Sequence, residues 1–167
     1  FGYPGKKSSA EIESLKKTYF DSIYPFTIFM FHTTIKDVVG NIPMESIETS
    51  KLPIADYYAI GHIHKRFEKK EGASVFVYPG PIFPCNFSEL ADLKHGSFNI
   101  VELDNGKIKT KNVPLQIKDV VYLEVEIDNG LTATEKIIHE LDKISLYDRI
   151  VLLKISGTLL QGKTGDI

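Results

Sequence analysis

The segment Tyr57-Tyr58-Ala59-Ile60-Gly61-His62-Ile63-His64-Lys65 constrains this chain more than any other. An apolar run of strand type leads directly into Gly-His-Ile-His. Successive strand side chains alternate faces. His62 and His64 are therefore expected to point the same way, about 6.6 Å apart along the strand at roughly 3.3 Å per residue. Two neutral imidazoles so placed share one metal ion or one phosphate. A second apolar run, Phe26-Thr27-Ile28-Phe29-Met30-Phe31, also ends in a histidine, His32. Three of the five histidines thus fall at or just past strand ends, where open α/β sheets place their ligands.

At 167 residues and 43% hydrophobic content the chain is long enough for one core and a small appendage. The formal charge of −2 neither demands nor excludes a nucleic-acid partner, so any DNA contact must come from local patches. One cysteine, Cys85, excludes an internal disulfide and suggests a reducing compartment. No stretch is long and apolar enough for a membrane span, and no signal peptide is visible. The chain opens at Phe1 without Met and closes at Ile167 shortly after a predicted strand. Both ends read as cut, and the expectation is a piece of a longer protein.

Phe1 to Lys7 reads as loop, and Ser8-Ser9-Ala10-Glu11 as a capping box. Ile12, Leu15, Tyr19 and Phe20 follow helical spacing. Residues 33–53 read as irregular, with a short turn of helix at Met44–Ser50. Phe67 to Val77 reads as a hairpin turning near Glu71-Gly72, and residues 82–95 as loop. Gly96 to Val113 alternates about Asn105-Gly106, a strong hairpin signal. From Asp119 the pattern is β-α-β. Val121 to Ile127 alternate, Thr132 to Glu135 fit a capping box, Ile137, Ile138, Leu141 and Ile144 form an apolar stripe, and Arg149–Ser156 is a strand. The predicted boundary divides residues 1–115 from 116–167.

The strand-end histidines point to a metal. Three imidazoles suit a His₃ zinc site with water as fourth ligand. They equally suit half of a two-metal site acting on phosphate esters, which also needs anionic ligands. Asp37 and Asp56 are near in sequence, but Asp56 opens its strand at the far end and Asp37 falls in a loop. Lys65, Arg66, Lys69 and Lys70 form a basic run past the histidines, read either as a solvated hairpin face or as a sequence-blind contact to DNA phosphates. His95 and His139 read as structural or surface groups, Cys85 as a half-buried loop residue, and Phe20, Tyr24, Phe26, Phe29 and Phe31 as core.

Ile28-Phe29-Met30-Phe31-His32, Tyr57 to Arg66, and Val77-Tyr78-Pro79-Gly80, in this order and spacing, resemble the second half of a calcineurin-like metallophosphoesterase. More narrowly they resemble the SbcD-type nucleases and their archaeal and eukaryotic double-strand-break-repair counterparts. The resemblance implies an α/β fold, half of a two-sheet phosphoesterase sandwich followed by part of a small α+β cap domain that contacts DNA. It implies a two-metal site, usually manganese, with His32, His62 and His64 as ligands. It also implies DNA as substrate, an SbcC-type SMC-like ATPase partner, a homodimer, and a cytoplasmic, nucleoid-associated or nuclear setting. The family often has Gln where this chain has Thr33, and Ser where it has Pro81. Its upstream motifs (Asp-x-His, Gly-Asp-x-x-Asp, Gly-Asn-His-Asp/Glu), which supply the bridging carboxylate and the general-acid histidine, do not occur here. The expectation is therefore a chain that is no nuclease by itself, from a parent that is. The rival readings are another calcineurin-like phosphodiesterase or phosphatase, and a non-catalytic DNA- or protein-binding module.

Overall fold

The computed structural model describes residues 10–21 and 23–167. The loop predicted at Phe1–Lys7 and the capping box begun by Ser8 lie outside them. The chain is mixed α/β, with several small sheets and few helices. It divides into two compact units. One holds the residues up to Ile82 together with Ser97–Pro114, and the other holds Phe83–Gly96 and Leu115–Ile167.

The first unit is built on a four-stranded sheet of β1 (Ile28–His32), β2 (Tyr57–Gly61), β3 (Phe67–Glu71) and β4 (Ser74–Tyr78), in the order β1-β2-β4-β3. β1, β2 and β4 are parallel, and β3 returns antiparallel at the edge. The alternation in the sequence becomes two faces. Phe29, Phe31, Tyr58, Ile60, Phe76 and Tyr78 point into a core shared with Ile12 and Leu15 of helix α1 (Ala10–Lys16). Tyr58 and Phe76 stack at 4.0 Å, 7° from parallel. On the other face, Tyr57, Val75 and Val77 pack with Ala59 and with Ile108. Ile108 belongs to a hairpin of β5 (Gly96–Asp104) and β6 (Lys107–Leu115). Asn105 and Gly106 both take positive φ, 50° and 74°, as the predicted turn requires.

The link from β1 to β2 is short of helix but not loose. Thr33, Thr34 and Ile35 are buried. Ile35 bridges Ile47, with backbone bonds from Lys36 to Ile47 and from Ile47 to Thr34. Helix α2 (Lys36–Val39) and a 3₁₀ turn at Thr49–Lys51 follow, so the helical turn expected at Met44–Ser50 falls at its far end.

The second unit carries helix α3 (Phe87–Leu93) and a β-α-β of β7 (Asp119–Glu126), α4 (Ala133–Leu141) and β8 (Arg149–Ser156), the two strands parallel and in register. Val125, Ile127 and Ala133 form its small core. Among the described residues no helix is long and apolar enough to cross a membrane.

Several expectations need correcting. α1 ends at Lys16, because Tyr19 turns to solvent at 79% exposure while Phe20 alone packs back on the core. Tyr24 is likewise exposed. The loop expected at 82–95 contains α3, capped by the Asn86 side chain accepting from the Glu89 N–H at 3.0 Å. Asn86-x-x-Glu89 is a capping signal, and it starts a helix inside the expected loop. Thr132 does precede α4, but its hydroxyl makes no capping bond. Cys85 is exposed.

Candidate metal centre

Parallel strands put their carboxyl ends at one edge, and here that edge gathers the three motifs. His32 closes β1, Gly61 closes β2 and Tyr78 closes β4. His32 pairs with Gly61 across the ladder. The His32 ring lies over that glycine. A Cβ added to Gly61 would come 2.5 Å from His32 Nδ1 and 3.2 Å from its Cε1. A side chain at 61 would therefore displace the imidazole from where it lies.

The strand ends at Gly61, one residue before the predicted metal pair. His62 takes φ 93°, a conformation that costs a side-chain-bearing residue about 1–3 kcal/mol. This kink replaces the expected continuous strand, and the predicted alternation of His62 with His64 does not operate. It brings His62 instead toward its neighbour from β1. The His32 and His62 rings lie 5.3 Å apart between centres at an interplanar angle of 81°. Both side chains are exposed, while Ile63 between the loop histidines packs on the core.

The spacing is informative. A metal bound about 2.1 Å from a ring nitrogen lies about 3.2 Å from that ring's centre, so two rings on one ion stand about 5 Å apart. The His32–His62 pair has that separation. The same separation and near-perpendicular angle are also those of an edge-to-face ring contact. Among the described residues, neither His32 nor His62 belongs to a set of three ligand side chains with donor atoms mutually within 4.8 Å. His64 is exposed on the same loop, and its backbone carbonyl lies 3.7 Å from where a Gly80 Cβ would be. Gly80, at φ 82°, lets the Pro79-Gly80 turn pass this close. The structure thus joins His32 to His62 and holds His64 beside the third motif.

The backbone behind His32 is clamped. The Tyr78 hydroxyl, on a fully buried side chain, donates to the Thr33 carbonyl and accepts from the Ile35 N–H, both at 2.8 Å. Burial pushes this phenol far above its ordinary pKa, so it stays a donor. The Thr33 hydroxyl donates to the Glu11 carboxylate at 2.7 Å.

The two nearby carboxylates are committed elsewhere. Asp56 accepts from the Thr27 N–H at 2.7 Å, at the opposite end of the sheet as its place in the strand predicts. Asp37 pairs with Lys69 at 2.6 Å. Lys69 also reaches Glu71 at 2.8 Å, and its hydrogen bond to Asp37 raises its pKa. Arg66 donates to Asn112 at 3.1 Å. Lys69 and Lys70 alternate along β3 onto opposite faces. Lys65 and Lys70 are exposed. The four residues of the basic run therefore do not form one patch.

A cleft of about 860 Å³ opens beside the histidines on the β1–β2 face. Its walls include Met30, Ala59, Val77, Ile82, Phe98 and Val101, with His32 and Gly61 among them. Ser97 and Asn99 add polar groups to an otherwise largely apolar lining. No protein-family model matches the sequence.

Proposed function

We propose that this chain carries the histidine half of a two-metal phosphodiesterase centre that acts on DNA ends, with manganese as the working ion. The observation that carries the reading is the His32–His62 pair at the carboxyl edge of a parallel sheet, with the His32 ring lying where a side chain at 61 would displace it. Two costs are accepted to make that pair, a missing side chain at 61 and a strained backbone at 62. A merely solvated histidine requires neither. The first unit then corresponds to one half of a two-sheet phosphoesterase sandwich, and the β-α-β of the second to part of a DNA-contacting cap. The sequence resemblance extends the proposal to a homodimer and an SbcC-type ATPase partner.

In this reading His32 and His62 hold one ion and His64 contributes from the adjoining loop. When bound, the metal pair supplies a water of lowered pKa and neutralises the scissile phosphate. The chain's own part is positional. Buried Thr33–Ile35 fix the imidazole of His32, the Gly61 gap orients it, and Lys65 and Arg66 stand on the loop that phosphates would meet first. Two imidazoles leave an ion's charge uncompensated, so the proposal requires bridging carboxylates beyond those paired with Thr27 and Lys69.

The test is duplex-DNA affinity with Mn²⁺, with chelator, and in His62→Ala. Metal-dependent binding that drops about tenfold or more in the variant supports the reading. DNA affinity untouched by chelator and by the substitution would instead make the chain a non-catalytic binding module. Preference for a simple aryl phosphodiester over DNA ends would point to a different hydrolase of the same class.

A further inference from the structure

Two tyrosines in the sheet make the same unusual contact. The Tyr58 hydroxyl donates to the Pro53 carbonyl at 2.7 Å and accepts from the Ala55 N–H at 3.0 Å. The Tyr78 hydroxyl donates to the Thr33 carbonyl and accepts from the Ile35 N–H. Each bridges a carbonyl and the N–H two residues further on, and each sits on a buried side chain of the same core. They differ in place. Tyr58 secures the segment entering β2, whereas Tyr78 secures the three residues that leave β1 immediately after His32.

We infer that Tyr78 is a positioning residue for the His32 imidazole. The backbone leaving His32 has two buried polar groups whose partner is this one hydroxyl. Without it, the Thr33 carbonyl and Ile35 N–H must find water or each other, and the chain shifts at the residue next to the ligand. The His32 ring is exposed and lies over Gly61 and beside the His62 ring, so its place depends on where the backbone sets its Cα. The inference rests on the metal reading for its consequence, but not for its geometry.

Tyr78→Phe removes a single oxygen, and Tyr58→Phe is the control, since it removes the corresponding pair of backbone bonds, and a contact with Ser74, elsewhere in the core. The first readout needs no metal. Nuclear Overhauser contacts between the His32 and His62 rings should persist in wild type and Tyr58→Phe and be lost or weakened in Tyr78→Phe. The second readout is Mn²⁺ affinity by calorimetry, expected to fall about ten- to a hundredfold in Tyr78→Phe and to stay within twofold in Tyr58→Phe. Ring contacts that survive in Tyr78→Phe, or that are lost equally in both variants, overturn the inference. Should wild type show the ring contacts and bind no Mn²⁺, the metal reading fails while the ring contacts still decide the role of Tyr78.

Discussion

His62 and Gly61 exchange the usual roles of their residue types. The glycine sits in ordinary strand conformation but has no room for a side chain, and the histidine takes the backbone angle that favours glycine. Each substitution therefore has a signed outcome. Gly61→Ala drives a methyl into the His32 ring, and Mn²⁺ affinity by calorimetry should fall about tenfold or more while the melting temperature changes little, because the ring can rotate into solvent. His62→Gly relieves the strained φ at the expense of a more flexible unfolded chain, for a net stabilisation of about 1 kcal/mol. Denaturant unfolding should show that gain, and metal binding should disappear with it. A structural histidine would give the opposite sign of stability change.

Among the elements, the central strands and both hairpins were legible, because period-two alternation and the Glu71-Gly72 and Asn105-Gly106 turns are local signals. The site was legible as residue types but not as geometry. The sequence pattern puts His62 and His64 along one strand, whereas the pair that forms is His32, at the end of β1, with His62, just past the end of β2, residues 30 apart whose adjacency only the parallel sheet creates. The Tyr78 latch is non-local for the same reason. Predictions at this scale follow from the packing. Tyr57, Tyr58 and Tyr78 are buried phenols whose pKa values are raised above 10.0, in each case first by desolvation. A raised folded pKa contributes stability that is full below the unfolded value and lost as pH rises through the folded one. The melting temperature should therefore be flat up to about pH 10 and drop steeply above it. In the second unit, a Cβ at Gly157, where φ is 120°, would fall 2.2 Å from the Ile127 carbonyl oxygen at the end of the β7–β8 pair. Gly157→Ala should cost several kcal/mol, roughly as overpacking and a lost strand-end bond combine, and hydrogen exchange should show β7 and β8 loosened.

At the scale of the whole molecule, the scaffold of the first unit is separate from the candidate site. The core of the first unit is closed by aromatic stacking and buried latches that owe nothing to metal. The fold should therefore survive chelation, with a melting temperature that rises on adding Mn²⁺ only as mass action on the native state requires. If the chain binds DNA as proposed, the salt dependence should be shallow, since Arg66 and Lys69 are engaged within the protein and few basic residues of the run are left for phosphate. Because Lys69 is held by Asp37 and Glu71, Lys69→Ala should change that salt dependence less than Lys65→Ala does. The most direct measurement is a calorimetric titration of Mn²⁺ into the wild-type chain and into His62→Gly, with unfolding curves for both. The account predicts binding in the wild type, none in the variant, and a variant at least as stable as its parent. No binding in the wild type, or binding that the more stable variant retains, would contradict it.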